Sequence, residues 1–189
     1  MKRLLYFAMA IITSLAFTAC GDDNDGPSVS LNPQEDAAGT YSGTWTINII
    51  KETTPVGEAT TKETLYSGTP SGSVVLTAAA QYIADIEFVN DVLNEYMGDP
   101  LKGKINIAQT SNGYTLFNFA SIKSAEDGIV GDGYGASISV NNELTISSFT
   151  RVEKVQEEVI IGYDRRNRPI YKVAEVKTTY DLSFTGVKQ

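Results

Sequence analysis

The chain has 189 residues, with 15 Lys and Arg against 23 Asp and Glu, no histidine and one cysteine, for a formal charge of −8. Without histidine, Ser-His-Asp and Cys-His nucleophile systems and His-ligated zinc or haem are excluded; the acidic balance makes nucleic acid and anionic head groups poor partners. No Walker A or dinucleotide fingerprint occurs and no repeat of the solenoid kind, so no catalytic residue, metal ligand or cofactor is expected.

Met1-Lys2-Arg3 is basic, residues 4–17 are mostly apolar, and the small Ala19 stands directly before Cys20. That is the layout of a secretory signal. The run is shorter than the roughly 20 apolar residues a permanent membrane helix needs, so residues 1–19 read as a cleaved segment. Leu15-Ala16-Phe17-Thr18-Ala19-Cys20 resembles the signal of bacterial lipoproteins, in which the peptidase cuts before the cysteine and that residue carries the lipid. The resemblance implies a product anchored to the membrane through acyl chains on Cys20. At about 0.8 kcal/mol per buried methylene one chain binds marginally, whereas two or more hold stably. Loss of Lys2 and Arg3 leaves 13 basic against 23 acidic side chains, a formal charge of −10. No second cysteine exists to form a disulfide, so stability must come from packing.

Residues 20–37 read as a flexible tether. They include Asp22, Asp23, Asn24, Asp25, Gly26, Pro27, Pro33, Glu35 and Asp36, with only Val29 and Leu31 as sizeable apolar residues. Such a composition buries too little surface to offset its ordering entropy. A calcium loop does not fit, because aligning Gly26 with the glycine of an EF-hand leaves Gly21 and Asn32 where carboxylates are needed. Asp22-Asp23-Asn24-Asp25 resembles the export tag of Bacteroidetes surface lipoproteins, which implies an outer-membrane protein whose domain faces outward from the cell.

Residues 38–189 are expected to form one domain. Tyr41, Gly43, Trp45, Ile47 and Ile49 alternate with polar residues, the period of a half-buried strand, up to a turn at Pro55-Val56-Gly57. Residues 58–67 are Thr-rich and suit an exposed second strand, broken over 68–72. Residues 73–86 read as strand. Phe88, Val89, Val92, Leu93, Tyr96 and Met97 then follow helical spacing, with Asn90 or Asp91 as cap, Gly98 at the end and Pro100 beyond. So short a helix must lie on the sheet or plug one end of a barrel.

Ser111-Asn112-Gly113 is expected to be a three-residue hairpin loop with Gly113 left-handed, setting Ile107 opposite Phe117 and Ile105 opposite Phe119. Asn141-Asn142-Glu143 is expected to be another, pairing Val140 with Leu144 and Ile138 with Ile146. Between them, residues 121–135 carry four glycines and read as a long loop. In the last hairpin Val155, Glu157, Val159, Ile161 and Tyr163 share one face. Val176, Thr178, Tyr180, Leu182 and Phe184 share a face of the returning arm, and the turn falls at 164–169. Strand one against residues 181–186 would close an all-β antiparallel meander of about eight strands and one short helix into a barrel.

Gly39-Thr40-Tyr41-Ser42-Gly43-Thr44-Trp45 resembles the opening strand of calycin-type barrels, whose lipocalin members carry Gly-x-Trp there. Together with the signal, the acidic tether and the closing Ser183-Phe184-Thr185-Gly186, the chain is similar to the calycin-like β-barrel lipoproteins of Bacteroidetes. Its helix and Gly-rich loop are placed differently from those of a plain lipocalin, and no residue-level function comes with the resemblance.

Adjacent Glu157 and Glu158 point to opposite faces of a strand and cannot flank one glycosidic bond; Asp85 and Glu87 share a face but look like solubility charges, so no hydrolase is expected. Ligand binding remains. Trp45 and the ten tyrosines supply rings that stack on sugars or line an apolar pocket. At the tip of the last hairpin, Arg165, Arg166 and Arg168 lie between Tyr163 and Tyr171, a combination of guanidinium forks and rings that suits an acidic glycan. The reading is a lipid-anchored outer-membrane protein that binds a small apolar molecule or a glycan through these six residues. The alternative is a structural or adhesive surface module partnering another envelope protein.

Overall fold

The computed structural model describes residues 30–98, 100–119 and 132–189. The expected signal, Cys20, the acidic patch and most of the expected 121–135 loop lie outside the described residues. Within them are two short helices, α1 (Pro33–Ala37) and α2 (Asp91–Met97), and nine strands. The strands are β1 (Gly39–Pro55), β2 (Thr61–Gly68), β3 (Ser71–Ala80), β4 (Ile83–Val89), β5 (Leu101–Thr110), β6 (Gly113–Phe117), β7 (Asp132–Ser139), β8 (Glu143–Tyr163) and β9 (Pro169–Lys188). They form one antiparallel sheet in the order β2-β1-β3-β4-β5-β6-β7-β8-β9, and β9 returns to pair with β1.

β1 makes this closure possible by being long enough to serve three neighbours. On one edge its first part pairs with β3 (Gly39 opposite Leu76 to Thr44 opposite Ser71) and its second with β2 (Ile47 opposite Gly68 to Thr53 opposite Thr61). On the other edge it pairs with β9 without a break, from Tyr41 opposite Lys188 to Pro55 opposite Ala174. Eight strands, β1 and β3 to β9, therefore close the ring, and β2 is added outside it. The expected seam between strand one and residues 181–186 is the observed one.

The alternation in β1 and β9 puts Tyr41, Trp45, Ile47, Ile49, Leu182 and Phe184 inside the ring. Trp45 is fully enclosed, with ring centroids 4.9 Å from Phe88 and 4.8 Å from Phe184, and Phe149 meets Phe88 edge-on at 5.4 Å. Each such pair is worth about 0.5–1.5 kcal/mol beyond its area burial. Side chains thus fill the middle of the barrel. The outer wall instead carries ion pairs, Lys102–Glu87 at 3.1 Å and Lys104–Asp85 at 2.7 Å. This apolar-in, polar-out pattern is the reverse of a barrel that faces lipid.

Both ends of the ring are stoppered. α2 forms as its sequence predicts: Asn90 Oδ1 accepts the Val92 and Leu93 N–H groups, Asn90 Nδ2 donates to the Ser71 carbonyl, and Gly98 (φ 77°) ends the helix. Its Leu93 joins the core. Phe88 and Val89 are not on this helix but end β4, because Phe88 pairs with Val74 in the ladder. At the opposite end sits α1, where a flexible tether was expected. Gln34 accepts the Tyr82 N–H, Tyr41 Oη donates to the Ala37 carbonyl, and Lys188 Nζ donates to the Asp36 carbonyl. Pro33, Gln34 and Ala37 are buried there. The tether expectation therefore fails over its last residues, since Pro33, Gln34 and Ala37 bury against the barrel and partners far along the chain hold them there. Burial, with Tyr114 nearby, pushes the Tyr41 hydroxyl up to about 12.

Four local expectations also differ. Residues 73–86 are two strands, β3 and β4, turned at Gln81 and Tyr82, the latter at φ 62°. The β5–β6 loop is Ser111-Asn112, so Ile107 faces Leu116 and Phe117 points outward; Gly113 keeps its positive φ of 126°. The β7–β8 loop has three residues, but they are Val140-Asn141-Asn142, which pairs Ile138 with Leu144 and Ala136 with Ile146. In the first hairpin the shift puts Leu116 rather than Phe117 inside; in the second it keeps Ile138, Leu144 and Ile146 inside and moves Val140 into the exposed loop. The expected 121–135 loop ends early, because residues 132–135 belong to β7.

Candidate functional site

β8 and β9 outrun the ring. β7 leaves β8 at Thr150 and β1 leaves β9 at Ala174, beyond which the two strands run on together as a twisted arm to the turn at residues 164–168. Successive strand residues alternate in face, and a bulge between Ile160 and Gly162 resets that alternation. In the resulting register Ile160 pairs with Tyr171 and Tyr163 with Pro169. Tyr163, Tyr171, Ile160 and Val173 therefore share one face near the tip, all exposed.

The turn is organised by Asp164. Its carboxylate accepts the Arg166 N–H at 2.8 Å and the Arg168 N–H at 3.0 Å, and pairs with the Arg168 guanidinium at 2.7 Å. The Arg168 amide, then its guanidinium, then the Arg166 amide hold the Asp164 carboxyl below the usual carboxylate value. Arg168 is thus committed to the turn. Arg165 and Arg166 are exposed, and among the described residues neither side chain has an ion-pair partner. Of the six expected site residues, the structure brings together Tyr163, Tyr171, Arg165 and Arg166, gives Arg168 a structural role, and removes Trp45. An indole enclosed by Phe88 and Phe184 has no face left for a ligand.

A second charged cluster was not anticipated. Arg151 is 2% exposed at the mouth of the ring under α2, with Nη1 3.7 Å from Met97 Sδ, an ion pair to Glu153, and its guanidinium 5.9 Å from the Tyr180 ring. Tyr180 Oη donates to Glu153 Oε2 at 3.1 Å. Burial and then Glu153 raise the Tyr180 hydroxyl above its ordinary value. Burying an ion costs several kcal/mol unless it is paired, and this one is. The signal was present in the sequence: Arg151 falls on the inward beat of Phe149, Arg151 and Glu153. The cluster anchors α2 and offers no open face to a substrate. The nominal acid pair Asp85 and Glu87 is neutralised, each by its own lysine.

Fold and site together define a filled, antiparallel β-barrel with a polar outer wall and a projecting two-stranded arm. No protein-family model matches the chain, and no curated protein does. Among solved structures it is similar to the solid-state NMR structure of the outer membrane protein AlkL in DMPC lipid bilayers, with 10% identity over 89% of this chain and 97% of that one, at a TM-score of 0.35. A likeness at this level assigns neither ligand nor location.

Proposed function

We propose that this chain is a lipid-anchored protein of the outer membrane, exposed at the cell surface, whose calycin-like barrel presents the arm to an acidic glycan. One observation carries the reading: α1 and the arm tip lie at opposite ends of β9, at Lys188 and Pro169. At about 3.3 Å per residue those ends are separated by roughly 60 Å of strand. A chain tethered through Cys20 enters at α1 and carries Tyr163, Tyr171, Arg165 and Arg166 away from its anchor. Guanidinium groups hold carboxylate or sulfate oxygens, and the two rings on one face stack against sugar. A small apolar ligand inside the barrel finds no support, because aromatic side chains occupy that space. Exposed Ile160, Ile161, Ile170 and Val173 favour a second reading, an adhesive module whose arm contacts another envelope protein.

The closed barrel lies within residues 30–189, so the chain from residue 21 onward contains all of it. On a glycan array that protein should retain sulfated or uronic-acid glycans, and the binding should weaken with salt. Arg165→Ala/Arg166→Ala should lower it about tenfold or more, because a charge-assisted hydrogen bond is roughly twice as strong as a neutral one. Equal binding by both forms, or by neither, would sink the glycan reading and leave the adhesive one.

A further inference from the structure

The arm has an open side. From Val152 onward only the β9 side of β8 is paired among the described residues, and among them the backbone groups of residues 152–160 on the other side have no ladder partner. Proline and glycine are absent from this stretch, and the register shifts of β8, at Ile146/Phe149 and Ile160/Gly162, bracket it without entering it. A strand edge this regular is a template for another strand.

Its side chains specify which one. Val152, Lys154, Gln156, Glu158 and Ile160 share the outer face. Two residues to either side of Gln156 stand opposite charges, Lys154 and Glu158; four residues to either side stand the apolar Val152 and Ile160. An antiparallel strand of the same sequence, aligned with Gln156 opposite Gln156, sets Lys154 against Glu158 twice and Val152 against Ile160 twice. On the other face the same register sets Val155 against Glu157 and Glu153 against Val159, with no like charges opposed. Sliding the partner by two residues sets Glu153 against Glu157 in one direction and Glu157 against itself in the other, and like charges directly opposite are destabilising.

We propose that residues 152–160 of β8 pair antiparallel with the same edge of a second copy of this chain, about a two-fold axis through Gln156. The joined sheet runs β2-β1-β9-β8 into its own reverse. The bulge after Ile160 falls where the partner's β7 begins, and it turns each arm tip off the shared ladder. The pairing stands apart from the lipid-anchor reading. Taken with that reading, it places the two α1 ends at opposite extremes, a geometry for copies on facing surfaces rather than neighbours on one.

Sedimentation velocity of the chain from residue 21 onward tests the proposal. The wild type should dimerise, and Glu158→Lys or Lys154→Glu alone should raise the dimer Kd about tenfold or more, because each opposes two like-charge pairs. An equimolar mixture of the two variants should dimerise again, since both cross-pairs are then complementary. Gln156→Cys, the only thiol in that protein, should form a disulfide-linked dimer on mild oxidation, because directly opposed residues of an antiparallel pair lie within disulfide reach. A monomeric wild type overturns the proposal. So does a dimer that ignores the charge changes, or a Gln156→Cys that links no faster than Glu175→Cys on the neighbouring strand.

Discussion

Gly43 of β1 stands directly opposite Gly186 of β9, at the seam where the barrel closes. A Cβ at Gly43 would come closer than 3.0 Å to the Thr185 carbonyl oxygen and to Gly186 Cα, both backbone atoms that cannot swing aside. Gly43→Ala should therefore destabilise the fold by about 2–3 kcal/mol, the upper part of the range for overpacking. Urea denaturation measures this, and an unchanged midpoint would mean the seam has room to spare.

Gly113 begins β6 at φ 126°, and a Cβ there would press on the Ile138 carbonyl oxygen of β7. Gly113→Val combines that clash with a backbone conformation β-branched residues avoid, so it should cost more than about 1 kcal/mol. Gly57→Val, also at positive φ but with nothing within 4 Å of its first side-chain atom, isolates the conformational part. If the two variants denature alike, the contact with Ile138 contributes nothing.

The turn at the arm tip should be sensitive to acid. Asp164 has a depressed carboxyl pKa in the folded protein, so its contribution to stability is present above the ordinary value of 3.8 and is lost as pH falls through the lower folded value. In NMR titrations the Arg166 and Arg168 amides should follow one transition below pH 3.8, and Asp164→Ala should abolish it. A transition at or above that pH would contradict the assignment.

Membrane attachment should depend on Cys20 alone. Expressed with its signal in a host that processes lipoproteins, the protein should enter the detergent phase on phase partitioning, whereas Cys20→Ala should stay in the aqueous phase, because the outer wall of the barrel carries ion pairs rather than an apolar band. Both forms entering detergent equally would remove the lipid-anchor reading.

Much of the fold was legible because it is periodic. The alternation through Trp45 and Ile49, and again through Tyr180 and Phe184, names the inward faces, and two strands with matching faces at the chain's two ends suffice to close a barrel. α2 was legible because a cap such as Asn90 acts on the amides two and three residues ahead of it. The turn at the arm tip was legible as a turn, but the Asp164 network that commits Arg168 to it was not, although all its partners lie within five residues.

Registers were not legible from the hairpins alone. Ile107 opposite Phe117 and Ile107 opposite Leu116 are both sound apolar pairs, and no local rule separates them. The choice was made by β7 and by the aromatic side chains already filling the ring, which leave Leu116 inside and send Phe117 out. α1 was hidden for the same reason, since its partners Tyr82 and Lys188 stand 48 and 152 residues from the groups they bind. Trp45 could be recognised as aromatic but not as enclosed, because enclosure is a property of the Phe88 and Phe184 rings brought to it by other strands. The chain by itself determined the inward alternation of β1 and β9 and the cap of α2, through interactions spanning a few residues. Only the closed sheet decided which pairs meet, that the interior is full, and that the arm leaves the barrel at the end opposite α1, because those outcomes depend on contacts between segments that no short window of sequence contains.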